Sequence, residues 1–396
     1  MNFQKLTEYL DNLSTTYGVP GCDVIITKGH ETIYRHSAGF SDYEKTRPVG
    51  NQDLYMLYSA SKVITATAVM QLVERGQLSL YDEVTKFFPS FGHLKVADSF
   101  AMGIPMKWPT TEDPCHLAHN SIRIIDLLTM TAGLSYDDCA KELIELRDAT
   151  DSTASTQDIV AKIGETALVY EPRTHWSYSL GHDVLAGVVE KVTGMSYGDY
   201  LKNNIFLPLG AEHITFHPTE EERTHLAALW SGVISAEGQL TDEIKAYPEG
   251  YDSHFFITKN YESGGAGLFG VVSEYSKIIE ALANYGVGRN GARILKEETV
   301  RLLMTPYTTG EMQKDFENAG KVGYSYGLGV RVLTDASKAE SNLGEFGWDS
   351  AAGAFVLVDP TENISIMYAQ HIFGFPKVYS EIHPVVRDLA YQGIRS

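Results

Sequence analysis

Residues 59–75 encode a helix that is apolar on most of its sides, and no other segment restricts the fold so tightly. Val63, Ile64, Ala66, Val69 and Met70 leave it no broad polar face, and Leu54, Met56, Leu57 and Tyr58 lead into it with more apolar surface. A helix with a single apolar stripe can lie on a surface, whereas one without a polar face has to be covered on all sides. The remainder of the chain must therefore supply layers around it. Gly76 stands where the C-cap of such a helix falls.

The covering layers are readable in outline. Phe3, Leu6, Leu10 and Leu13 recur at helical spacing before Gly18. Residues 22–27 and 31–35 are short β-rich runs joined by Lys28-Gly29-His30, a hairpin pattern. Residues 327–333, 354–358 and 364–368 alternate or run apolar at strand length. Helical patterns fill the middle at 122–128, 140–146 and 183–192, with Gly194 closing the last, and a further helix over 274–285 follows the glycine break at 263–267. Residues 87–122, rich in Pro, Gly and His and lacking periodicity, read as a surface excursion of the kind that shapes a site. Strands at both ends and helices between them predict one α/β domain built from residues 1–86 and 262–396, interrupted by a mostly helical insert over 87–261.

Composition narrows the function classes. Lys and Arg number 32 against 51 Asp and Glu, a net charge of −19. Such a chain lacks the clustered cations that neutralise nucleic-acid phosphates, and an anionic membrane surface would repel it. No apolar run reaches the roughly 18 residues that a membrane span needs, and the N-terminus carries no basic segment followed by an apolar one. Cys22, Cys115 and Cys139 form neither a disulfide framework nor a C-x-x-C pair, which suits a reducing compartment. The expectation is a cytoplasmic enzyme that takes a small-molecule substrate, with its oligomeric state left open.

Two serine motifs compete for the nucleophile. Gly323-Tyr324-Ser325-Tyr326-Gly327 matches G-x-S-x-G, which works only at a sharp strand-to-helix turn. Here a polar, irregular stretch precedes the motif and a strand-like run follows, so Ser325 reads as a strand-entry residue. Ser59-Ala60-Ser61-Lys62 is the single S-x-x-K of the chain. About one such match arises by chance at this length, but this one opens the central helix. Residues three apart share a helix face with Cβ atoms about 5–6 Å apart, so the Lys62 amine can approach the Ser59 hydroxyl. Burial disfavours a charged lysine, which makes a neutral amine able to take the serine proton. The helix N-terminus adds partial positive charge and a backbone N–H suited to an oxyanion.

Around this motif the chain resembles the serine β-lactamase-like superfamily, with class C β-lactamases, family VIII carboxylesterases and penicillin-binding-protein-like hydrolases as its nearest groups. Tyr58-Ser59-Ala60-Ser61-Lys62 and the run Gln71-Leu72-Val73-Glu74-Arg75-Gly76-Gln77-Leu78 carry the likeness, followed by Leu80-Tyr81-Asp82-Glu83-Val84. Asp126-Leu127-Leu128-Thr129-Met130-Thr131-Ala132-Gly133-Leu134 is similar to the LL-T-H-T-S-G-L segment, with Met130 in place of His. Glu171–Ser179, Pro208-Leu209-Gly210, Ser263–Leu268 and Gly344–Ala351 resemble further landmarks in the family order. The resemblance implies an α+β sandwich, an antiparallel sheet flanked by helices and formed from both chain ends, of the β-lactamase/transpeptidase type.

It also implies roles. Tyr178 takes the place of the Tyr in Y-x-N that shares proton transfer with Lys62, whose charge should lower the phenol and couple the two titrations. Leu180 replaces the Asn that binds a substrate amide, a Tyr-Ser-Leu variant that looks like one found among family VIII esterases. Trp348-Asp349-Ser350 aligns with the K-T-G box, placed at the start of the strand over 354–358, and is expected to line the substrate pocket. Trp348 brings no cation and offers an apolar wall, and Asp349 would repel an anion if it faced the pocket. The backbone N–H groups of Ser59 and Ala351 would form the oxyanion hole.

The expected function is a serine hydrolase acting through an acyl-enzyme, a carboxylesterase on small esters with an apolar part. A D-amino-acid amidase or peptidase, a weak β-lactamase, or a non-catalytic binding module remain alternatives. No cofactor and no metal are expected: His213 and His217 lack the Glu of H-E-x-x-H, and His116 and His119 read as loop residues. Asp82 reads as a structural acid in a turn.

Overall fold

The computed structural model describes residues 1–100, 107–234, 240–252 and 257–396. Its main sheet has seven antiparallel strands, in the order Tyr324–Tyr326, Arg331–Leu333, Phe346–Asp349, Phe355–Asp359, Ile364–Ala369, Gly21–Lys28 and Glu31–Gly39. The N-terminal hairpin thus completes a sheet begun by the C-terminal strands, with Val24 opposite Tyr368 and Ile26 opposite Ile366. Successive side chains leave a strand on opposite faces, and the sheet uses this to divide two cores. Val24, Ile26, Leu357 and Ile366 pack under the helices Gln4–Asp11 and His383–Arg395 at the two chain ends. Ile25, Val356 and Met367 face the opposite way, into the core that holds the central helix and the helix Val272–Ala283.

The central helix spans Ser61–Glu74, and every residue from Ser61 to Leu72 is buried. It packs against Gly181–Thr193, a middle-region helix closed by Gly194 at φ 71°. The expected N-terminal helix is present and ends at Gly18 with φ 72°. Among the described residues no helix is long and apolar enough to cross a membrane, and Cys22, Cys115 and Cys139 are free thiols.

The middle region is less helical than its sequence pattern suggested. It contributes strands to three small sheets: Lys95–Ala97 between Cys115–Leu117 and Ala167–Leu168, Ile214–Thr215 beside Phe269–Val271 and Leu54–Met56, and Trp230–Ile234 between Leu240–Ala246 and Ile372–Phe373. Most of these strands hold two or three residues, too few to leave an alternation in the sequence. The segment expected as one long loop over 87–122 thus contains two strands, and its residues 101–106 lie outside those described. The last two ladders also pair residues of the middle region with strands from the chain's flanks, across the expected boundary near residue 261.

One glycine fixes the register of the strand that leads to the site. A Cβ on Gly347 would lie 1.9 Å from the Val356 carbonyl oxygen on the neighbouring strand, where Trp348 pairs with Val356. Neither backbone can withdraw without breaking the ladder. Gly347→Ala is expected to lower unfolding free energy by at least about 2 kcal/mol in urea titrations. An unchanged midpoint would show that the strand tolerates the side chain.

Candidate active site

Three elements converge on the N-terminal end of the central helix. The strand Leu54–Met56 is paired with Phe269–Val271 and runs into a single 3-10 turn, Tyr58–Ala60, from which the helix continues. Tyr58 adopts φ 41°, a left-handed conformation rare for a bulky side chain, and this sharp turn sets Ser59 at the helix entrance. The Tyr178 hydroxyl hydrogen-bonds with the Ser59 side chain and accepts the Trp348 indole N–H at 3.1 Å. Ser59, Lys62, Tyr178 and Trp348 are therefore gathered in one place.

Lys62 is fully buried, and its ammonium donates to the Gly265 carbonyl at 2.8 Å. It lies over the ring of Tyr178, 4.4 Å from the centroid, and 5.3 Å from that of Tyr136. Burial pushes its pKa from 10.5 down to about 7, against the opposing pull of the Asp183 carboxylate. Near neutrality a large share of the molecules thus carries a free amine at this position. Tyr178 behaves otherwise than expected. Its burial outweighs the hydrogen bonds from Ser59 and Trp348 and raises its pKa well above 10, so it is a neutral hydroxyl in the working range. The lysine sits against the ring face and does not turn the phenol into an anion.

Asp183 and Tyr136 escaped sequence reasoning. Asp183 Oδ1 accepts the Tyr261 and Ser263 hydroxyls, each at 2.5 Å, and the Gly265 N–H at 3.3 Å. A Cβ on Gly265 would stand 2.5 Å from Asp183 Oδ2 and 3.2 Å from Lys62 Nζ, so only glycine lets this backbone pass between carboxylate and amine. The readable signal was an acid in the first turn of a helix buried from Gly181 to Glu190, together with the glycines at 264 and 265. Tyr136 stacks on Tyr178 (centroids 5.2 Å, planes 4° apart), which stacks on Trp348 (5.5 Å, 14°), with Phe316 beyond at 6.4 Å. As one of 23 tyrosines it carried no distinguishing spacing.

The other expected site residues divide. Leu180 is buried at the entrance of the helix Gly181–Thr193, one residue beyond Ser179. The Ser179 hydroxyl donates to the Met130 sulfur at 3.3 Å, so the residue that replaces the family's His is packed beside this motif. Trp348 and Asp349 end the strand Phe346–Asp349, which corrects the expectation that their box opens the following strand. The side chains of Trp348 and Asp349 consequently leave on opposite faces. Asp349 does not repel anions from the pocket, because its carboxylate pairs with Lys321, with Arg331 at 3.3 Å and with His383 at 3.7 Å. Burial alone would raise it, but Lys321 and Arg331 hold it ionised, well below the usual range. Ser350 is spent on the turn: its N–H bonds the Ala354 carbonyl at 2.8 Å, and its own carbonyl accepts the Tyr379 hydroxyl at 2.8 Å. Among the described residues the Ala351 N–H has no protein acceptor and is free to donate.

The discarded motifs stay apart from this centre. Ser325 is buried in the strand Tyr324–Tyr326, with its hydroxyl 2.7 Å from that of Thr308. His213 and His217 turn to different acids, Glu222 and Glu262. Asp82 accepts the Ser79 N–H at 2.9 Å and supports a turn.

The family model described as "Beta-lactamase" matches residues 6–391. Protein Rv1367c of Mycobacterium tuberculosis is 25% identical over 357 residues, covering 88% of this chain and 84% of that protein. Esterase EstB of Burkholderia gladioli is 29% identical over 369 residues, with the same two coverages, 88% and 84%. The solved structure of EstCE1, described as a hydrolase with promiscuous acyltransferase activity, superimposes with a TM-score of 0.76 at 23% identity over 98% of both chains. That likeness is one of fold.

The geometry makes a definite prediction about pH. If a neutral Lys62 is required, kcat/KM rises with pH through about 7 and then levels off. Asp183 works to raise the Lys62 pKa, so Asp183→Asn should move this limb to lower pH, read from the kcat/KM profile of ester hydrolysis. A limb that stays in place or moves upward would contradict the assignment.

Proposed function

The chain belongs to the β-lactamase family, and on that premise we propose that it is a serine hydrolase that cleaves small carboxylic esters with an apolar portion through an acyl-enzyme. Ser59 Oγ attacks the ester carbonyl while its proton passes, by way of the Tyr178 hydroxyl, to the neutral amine of Lys62. The carbonyl oxygen becomes an oxyanion held by the N–H groups of Ser59 and Ala351. Collapse of this intermediate breaks the ester C–O bond, and the alcohol leaves with the proton returned through Tyr178. A water molecule then repeats the sequence on the acyl-enzyme, releasing the carboxylic acid and restoring Ser59.

The observation that carries the ester reading is the Trp348 indole, stacked on Tyr178 and hydrogen-bonded to its hydroxyl where the family's K-T-G cation would bind a substrate carboxylate. The nearby cations offer no substitute. Lys321 and Arg331 are paired with Asp349, and Lys62 is needed uncharged. Leu180 removes the amide hydrogen bond that an acylamino side chain requires. Aromatic surface without a polar handle favours an apolar acyl or aryl group. The similarity to an esterase supports the same reading.

Amide or β-lactam cleavage would use the same three groups, so relative rates decide. A p-nitrophenyl acyl ester is expected to exceed a chromogenic cephalosporin in kcat/KM by at least about 100-fold, and Ser59→Ala should lower ester turnover by about 10³-fold or more. A cephalosporin preference would sink the esterase reading. Absence of turnover on esters, amides and β-lactams alike would favour a binding module.

A further inference from the structure

A second cluster of chemistry-bearing side chains lies outside this site, on the small sheet of the middle region. The strand Lys95–Ala97 ends one residue before Asp98. Its antiparallel partner Cys115–Leu117 carries His116, with His119 two residues further on. Its parallel partner Ala167–Leu168 ends three residues before Glu171. Three strands thus deliver four groups to one edge.

Their atoms converge. Glu171 Oε1 lies 3.3 Å from His116 Nε2 and 2.8 Å from His119 Nδ1, and these three atoms all fall within 4.8 Å of one another. The carboxylate is anchored by the His119 backbone N–H, at 3.0 Å to Oε1 and 3.2 Å to Oε2. On the far side of His116, Nδ1 is 2.7 Å from Asp98 Oδ1. The Asp98 carboxylate accepts the Nδ1–H, which fixes the ring and turns Nε2 toward Glu171. Two imidazole nitrogens and a carboxylate oxygen face one point, and a cation placed there would replace the protons the rings share with Glu171.

We propose that His116, His119 and Glu171 bind a divalent transition cation of the zinc type, with Asp98 orienting His116 and one coordination position left to water. In a tetrahedral zinc site with bonds of about 2.0–2.1 Å, neighbouring ligand atoms stand roughly 3.4 Å apart; the His116–Glu171 pair is already at 3.3 Å, and the His119–Glu171 pair would open from 2.8 Å. Two imidazoles and one carboxylate suit zinc, cobalt or nickel better than magnesium or calcium, which prefer oxygen alone. The ion would clasp the Cys115–Leu117 strand and His119 to the start of the segment that runs from Glu171 to Tyr178, a structural role.

The full chain, stripped with EDTA and dialysed, is titrated with Zn²⁺ by calorimetry and with Co²⁺ followed by visible absorption. The expected result is one site per chain and a melting temperature that rises with added Zn²⁺. His116→Ala, His119→Ala and Glu171→Gln should each weaken binding by at least about 10-fold, and Asp98→Asn by about 10-fold. His213→Ala should leave it unchanged. His119 is the most exposed member, so its variant is expected to melt in EDTA as the parent does and keeps the comparison valid if Glu171→Gln misfolds. No stoichiometric binding to the parent chain, or full binding by both His116→Ala and His119→Ala, would overturn the proposal and leave a proton-bridged ion-pair network.

Discussion

A lysine without water is the condition on which the rest depends. Lys62 can serve as a base near neutral pH only if the folded chain makes its charge costly, and a shift from 10.5 to about 7 corresponds to roughly 5 kcal/mol of disfavoured ionisation. That cost is met by the whole architecture. The central helix is buried from Ser61 to Leu72, the helix Gly181–Thr193 packs against it, and the sheet built from both chain ends closes the other side. A polar face on this helix would have admitted water and returned the amine to its charged form. Asp183 moderates the effect, holding the amine in a range where it can both take and return a proton.

The aromatic stack follows from the same burial. Tyr136, Tyr178, Trp348 and Phe316 lie in series, and Lys62 rests against the faces of the first two. Such rings shelter the amine from solvent while presenting the electron-rich faces that tolerate its charged form when it appears. Across the strand that carries Trp348, Asp349 gathers Lys321, Arg331 and His383 into an ion-pair cluster, of which only Lys321 also reaches the Trp348 ring, 5.6 Å from its centroid. The negative charge of the chain therefore says little about the local field at the pocket wall. The acid nearest to it in sequence points the other way and is already paired.

What the sequence disclosed follows the reach of each pattern. The central helix, the terminal hairpin and the helix before Gly18 were legible because their periodicity runs over many residues. Strands of two or three residues, such as Ala167–Leu168 and Ile214–Thr215, were not, since they arise from tertiary pairing and carry no alternation of their own. Ser59, Lys62 and Tyr178 could be nominated from spacing and resemblance. The direction of Asp349 could not, because placing the strand at 354–358 left Asp349 in a turn, where no alternation assigns a face. The strand in fact ends at Asp349, and that single boundary decides that Trp348 joins the site and Asp349 leaves it. Tyr136 and Asp183 come together only through packing.

The central claim is that Ser59 is the nucleophile and that Lys62 activates it. Reaction with a fluorophosphonate, followed by mass spectrometry of the digested chain, tests both halves directly. The account predicts one adduct, on Ser59, that is lost in Ser59→Ala and forms far more slowly in Lys62→Met. An adduct on Ser325, or labelling of Ser59 at an unchanged rate without Lys62, would contradict it.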